Sequence, residues 1–161
     1  MPFLGTVAVA GNAVLLDTCV YIDQMQGRTP KALEDLLGLR VVSHSMVAVQ
    51  EMLHLVGALD PGDPRTASVI GSIELVVNAM APHRVYTPDA DVLASAAVHA
   101  GMMCRNQGYT KDNRFAVLHD CVLFLQALKL GFTLVTRNIA EFDYLLQLRP
   151  EGRVLFYELE G

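Results

Sequence analysis

Short apolar runs set between long helical segments are the feature that most restricts this chain. Four such runs occur, at 13–17 (AVLLD), 40–43 (RVVS), 132–136 (FTLVT) and 153–159 (RVLFYEL). Each is too short for an ordinary helix, so each reads as a strand buried by layers on either side. Between them, apolar residues recur at helical spacing. Leu33, Leu36 and Leu37 share one face, with Gly38 as the stop. Ser45 caps a helix to about residue 59, ahead of the loop DPGDP. Helices follow over 66–80 and 88–106, the second with Thr87 as cap and Pro88 at its first position. After the polar loop NQGYTKDNR, a helix over 115–129 stops at Gly131, and a short helix follows RNIAEF. This alternation predicts an α/β sandwich with a mainly parallel central sheet of four or five strands. At 161 residues and 52% hydrophobic content, one domain over 1–161 is expected, with 1–12 as a short N-terminal extension.

Net charge is −5, which excludes a broad, purely electrostatic grip on nucleic acid. It leaves room for a nucleic-acid site whose own metal ions supply the positive charge. Cys19, Cys104 and Cys121 are odd in number and form no CxxC pair, as in a reducing compartment. No Lys or Arg precedes Arg28, so the positive start of a secretory leader is missing. The most apolar stretch, 118–136, is interrupted by His119, Asp120 and Lys129 and reads as no membrane span. The expectation is a cytoplasmic protein without membrane contact.

Parallel sheets gather ligands at the carboxyl ends of their strands. Asp17 and the triplet Thr136–Arg137–Asn138 lie at two such ends. A buried, uncompensated carboxylate at Asp17 costs roughly 2–5 kcal/mol, so either it is solvated or a cation meets it. Two further acids sit on apolar helical faces. Glu51 has Val47, Ala48, His54 and Leu55 as its helical neighbours; Asp120 has Ala116, Val117, Leu123 and Phe124. Singly, each reads as a ligand or as an acid that bends toward water. Together, the three favour a cluster. Clustered carboxylates raise one another's pKa values unless divalent cations neutralise them. Hard oxygen donors suit Mg²⁺ or Mn²⁺, and no Cys/His spacing of the zinc kind occurs. Such a site suits metal-assisted phosphodiester hydrolysis.

Three blocks carry a family resemblance. LLDTCVYI resembles the opening of the PIN-domain ribonucleases, SHSMVAVQEML their second block, and LHDCVLFLQALKLGFTLVTRNIAEF their third. The blocks fall in the family's order from about Val14 to Phe142, and the branch they resemble most is the VapC-type toxins of VapBC toxin–antitoxin modules. The resemblance implies a PIN-like three-layer α/β/α sandwich and Mg²⁺- or Mn²⁺-dependent endonuclease action on RNA with one or two ions. It also implies a homodimer and inhibition by a small antitoxin protein. By position, Asp17, Glu51 and Asp120 match the acidic ligands, Thr136 the threonine that orients the site, and Thr18 the residue after the first acid. The family's fourth acid stands at a position held here by Asn138 or at one held by Glu141; Glu141 is the expected fourth ligand, with Asp143 nearby. Cys19 stands where the family has Asn or Ser.

Other residues keep two readings. His119 contacts substrate or shuttles a proton, or is a solvated helix-start histidine. Arg137 holds a phosphate or pairs with a nearby acid. Lys111 and Arg114 precede the third block on a loop that reaches toward an RNA backbone. His44 and His54 read as packing or surface residues, Met102–Met103 as core or dimer filler, and Cys121 as a small buried residue. Beside the ribonuclease stand two alternatives: a degenerate PIN fold that binds RNA or protein without cutting, and a phosphoacceptor domain. The second lacks support, because the dehalogenase-type pattern needs a second Asp at position 19 and a receiver needs paired acids and a late lysine.

Overall fold

In a computed structural model of the chain, which describes residues 3, 11–108 and 113–161, the apolar runs pair side by side. The elements are β1 (Val14–Leu16), α1 (Thr18–Met25), α2 (Lys31–Leu39), β2 (Val42–Ser45), α3 (Met46–Ala58) and α4 (Thr66–Ala79). A 3₁₀ turn at Pro82–Arg84 leads to β3 (Val85–Tyr86), α5 (Ala90–Gln107), α6 (Arg114–Leu130), β4 (Thr133–Thr136), α7 (Ile139–Leu148) and β5 (Val154–Phe156). The five strands form one sheet in the order β3-β2-β1-β4-β5, and every pairing is parallel.

Strand alternation sorts the core into two halves. Leu15, Leu134, Val154 and Phe156 point to the layer of α5, α6 and α7, where they meet Ala96, Met103, Phe124 and Phe142. Val14, Leu16, Val135 and Leu155 point to the opposite layer, against Val20, Leu33, Leu36, Met52 and Ile73. This is the expected α/β/α sandwich, with helices covering both faces of a parallel sheet. Among the described residues, no helix is long and apolar enough to cross a membrane.

The structure moves several boundaries. Helix α2 runs through Gly38 to Leu39, because Gly38 keeps ordinary helical geometry; Arg40 ends the helix and donates its N–H to Leu36 O. Helix α5 starts at Ala90, not at Pro88: the side chain of Asp89 accepts from Val92 N and so outcompetes Thr87 as cap. Helix α7 begins inside RNIAEF rather than after it, so Glu141 lies in its first turn. Strand β3, too short to show any alternation, has no counterpart among the expected strands. Gly131, by contrast, ends α6 as expected, at φ 72°, a conformation glycine adopts without penalty. Lys111 lies outside the described residues.

Candidate active site

The register of the two central strands builds the heart of the site. Leu15 pairs with Leu134 and Leu16 with Val135, so one further step brings Asp17 opposite Thr136. Asp17 N donates to Val135 O at 3.0 Å, continuing the ladder. Both side chains share the parity of their neighbours two residues back and meet at the sheet's carboxyl edge: Thr136 Oγ1 donates to Asp17 Oδ2 at 2.7 Å. Asp17 also caps α1, its Oδ1 accepting from Thr18 N at 2.7 Å, where the helix dipole favours negative charge. Cys19 Sγ lies 3.5 Å from Asp17 Oδ2. Burial and the charge of Asp17 push the Cys19 thiol up to about 12, so it stays protonated and donates. The cysteine thus supplies a weak donor beside the first acid.

The other acids arrive on helices. Glu51 is in the second turn of α3, and both its oxygens are engaged: Thr18 Oγ1 donates to Oε2 at 2.6 Å, and His119 Nδ1 lies 2.8 Å from Oε1. Asp120, in the second turn of α6, accepts from Asn138 Nδ2 at 3.3 Å. Asn138 N in turn donates to Thr136 Oγ1 at 3.0 Å, which links the two aspartates through one turn. Glu141 reaches the same region from α7, and its charge is felt at Asp120.

Electrostatics tie the four acids together. Asp17, 6% exposed, has its carboxyl raised above the ordinary range, mainly by burial and further by Glu51, against the lowering hydrogen bonds from Thr136 and Thr18. Asp120 is pushed up to about 9, first by burial and then by the charges of Asp17, Glu51 and Glu141. All four sequence-derived acids therefore belong to one electrostatic cluster. Among the described residues, no group of three or more His, Cys, Asp or Glu side chains is placed to hold a metal ion. The donor chemistry nevertheless fits a hard divalent cation: carboxylate oxygens only, mutually repelling, at a strand edge. A groove of about 730 Å³, lined by Glu51, His119, Asp120, Asn138 and Phe115 among others, opens beside two of the acids.

Remaining candidates separate clearly. Thr18 positions Glu51, and His119 stands on Glu51's other oxygen. Of the two readings of Arg137, the ion pair is present: its Nε donates to Asp23 Oδ2 at 2.7 Å. Asp143 accepts from Gln147 Nε2, at 3.1 Å. Arg114 is exposed at the first position of α6. His44 packs against Tyr21, its Nδ1 lying 2.6 Å from the hydroxyl.

Sequence reasoning missed Asp23, whose side chain is fully buried. Its Oδ1 takes Arg28 Nη2 at 2.9 Å and its Oδ2 takes Tyr157 OH at 2.6 Å, alongside Arg137. Burial pushes its carboxyl up, but the hydrogen bonds of Arg137 and Tyr157 and the two guanidinium charges outweigh that and hold it below its ordinary value. The available signal was its place on α1, three residues after buried Val20 and so on the same inward face.

No protein-family model and no curated protein sequence matches the chain. Solved structures do. A chain of VapBC2 from Rickettsia felis, solved bound to a DNA fragment from the promoter, superimposes with a TM-score of 0.62 at 15% identity, covering 91% of this chain and 99% of the other. DNA-bound VapBC from Salmonella typhimurium gives 0.61 at 16% identity, with 89% and 97% coverage. VapBC-5 from Mycobacterium tuberculosis, of the VapBC family of toxin–antitoxin systems, gives 0.58 at 17%, with 91% and 100% coverage. At these identities the likeness is one of fold, and that fold is the PIN-like α/β sandwich.

Proposed function

We propose that this chain is a Mg²⁺-dependent endoribonuclease, with Mn²⁺ as a substitute, and the toxin of a two-protein toxin–antitoxin pair. One observation carries the reading. Asp17, Glu51 and Asp120 are joined through Thr18, Thr136 and Asn138 at the carboxyl edge of the sheet, a setting in which a divalent cation turns mutual repulsion into shared attraction. Asp17, Glu51, Asp120 and Glu141 would hold one or two such ions. When bound, the cation lowers the pKa of water and offsets the charge that builds on a phosphodiester under attack.

The chain's own residues prepare that chemistry. Thr136 and the N-terminus of α1 fix both oxygens of Asp17, and Asn138 steadies Asp120. Thr18 and His119 hold Glu51 from two sides, and its carboxylate keeps further lone pairs for a cation. The groove lined by Glu51 and Asp120 is where the RNA strand would lie. The similarity to chains of toxin–antitoxin complexes supports a small antitoxin protein as partner, and a homodimer acting in the cytoplasm completes the reading.

The test is cleavage of single-stranded RNA by purified protein with Mg²⁺ or Mn²⁺, abolished by a chelator and by Asp17→Asn. Cys19 beside Asp17 and Asn138 in place of an acid favour a second reading, an RNA- or protein-binding PIN fold without catalysis. No cleavage together with no detectable heat on Mn²⁺ titration would establish that reading instead.

A further inference from the structure

We propose that Arg28 and Arg137, gripped by the buried carboxylate of Asp23, form a phosphate clamp beside the acid cluster, a binding site for the backbone of the same nucleic-acid strand. The inference rests on the nuclease reading and deepens it by naming how the strand is held.

Charge stoichiometry is the first argument. In the other Lys and Arg ion pairs of the described residues, one cation meets one or two acids: Lys31 with Asp35, Arg65 with Asp63, Arg149 with Glu151, and Lys129 with both Asp89 and Asp91. Around Asp23 the ratio reverses. One carboxylate, 0% exposed, takes two guanidinium groups and the Tyr157 hydroxyl as well. A single arginine with the tyrosine would already satisfy a buried carboxylate. The second arginine leaves a net positive charge in a chain whose overall charge is −5.

Exposure and position supply the rest. The side chains of Arg28 and Arg137 remain 47% and 37% exposed, so each guanidinium turns part of its donor edge to solvent while its other edge is tied down. A planar fork with five N–H groups suits bidentate phosphate contact, and anchoring on Asp23 removes much of the rotamer entropy that binding otherwise has to overcome. Arg137 directly follows Thr136, the residue that bonds Asp17. On the other side, Cys19 Sγ lies 3.5 Å from Asp17 Oδ2 and 4.0 Å from Tyr157 OH, which itself bonds Asp23. The clamp and the acids therefore share one edge of the sheet. A strand with one phosphate at the acids has a neighbouring phosphate to offer the arginines.

The experiment measures binding of a fluorescein-labelled, hydrolysis-resistant 2′-O-methyl oligouridylate across a KCl series at fixed Mg²⁺. Arg28→Ala keeps Asp23 paired with Arg137 and Tyr157, so folding is checked by its circular dichroism spectrum. We expect weaker binding at low salt, and a log–log salt slope reduced in magnitude by about 0.7, the loss of one single-strand phosphate contact. Arg28→Lys restores most of the slope, since it restores the charge. An unchanged slope in Arg28→Ala overturns the clamp and leaves the arginines as internal neutralisers of Asp23. So does wild-type protein that binds an acidic peptide but no oligonucleotide. Cleavage of unmodified RNA by wild-type protein judges the nuclease reading separately, so the two can fail independently.

Discussion

Asp17 and Asp23 are buried aspartates in one short segment, the cap and the sixth residue of α1, yet they meet opposite surroundings. Asp23 is given two arginines and a tyrosine, and its carboxyl is held below the ordinary range. Asp17 is given hydroxyl, thiol and amide donors but also two nearby acids, Glu51 and Asp120, and its carboxyl is raised, as is that of Asp120. The protein neutralises one carboxylate from within and leaves the other with a deficit of positive charge. The difference separates a carboxylate compensated within the fold from a site whose stability depends on something added. Perturbed carboxylates of the second kind are where function concentrates.

The comparison breaks most sharply under amide substitution. Asp17→Asn is expected to lower RNA cleavage more than about 100-fold, beyond the usual cost of losing a residue that merely supports a metal ligand, with the chelated protein melting within a few degrees of wild type. Asp23→Asn should do the reverse in kind: about 3 kcal/mol of stability lost, a fall in melting temperature of about 6–12 °C in a scanning calorimeter, because two guanidinium groups lose their anion. Equal melting losses in both variants would sink the contrast.

Thr136→Val probes how far the support of Asp17 matters. Its hydroxyl both donates to Asp17 and accepts from Asn138 N, so we expect a 10–100-fold drop in Mn²⁺ affinity measured by titration calorimetry. Asn138→Asp deepens the deficit by placing another acid beside Asp120. A several-fold tighter Mn²⁺ affinity, with a lower melting temperature in chelator, is the expected outcome; weaker binding would count against an underneutralised site.

The smallest effect is on pH dependence, and its sign differs between the regions. Asp17 and Asp120 bind their protons more tightly in the folded protein than at the ordinary value of 3.8, so chelated protein loses stability as pH rises above 3.8, for Asp120 up to about 9. Divalent cation should flatten that slope. Asp23 is lowered, so its contribution is present above 3.8 and is lost only as pH falls through its lower folded value. Melting temperatures across pH, with and without Mn²⁺, separate the two contributions.

The legible part of this molecule is the part written locally. A run of three or four apolar residues ending in Asp17, and another ending in Thr136, disclose a strand edge, and Ser45 and Gly131 disclose helix ends, because each signal lies within a few residues. Glu51 and Asp120 were legible because an acid on an apolar stripe contradicts its neighbours. Asp23 was not, since its compensation comes from Arg137, 114 residues away, and from Tyr157, 134 residues away. His119 kept two readings for the same reason: its partner Glu51 is 68 residues distant. Strand β3 holds two residues and is defined by pairing with β2, not by any pattern of its own.

The central position of β1 also governs when the site exists during synthesis. Its partner β4 is made far later: Thr136 follows Asp17 by 119 residues, roughly 6–24 s of translation at ordinary rates. Until then the first acid lacks its Thr136 partner; Asp120 is added 16 residues before that threonine and Glu141 five residues after it. In a nascent chain on the ribosome the acids are therefore kept apart as a matter of topology, and they assemble together, late, once the sheet's middle pair can close.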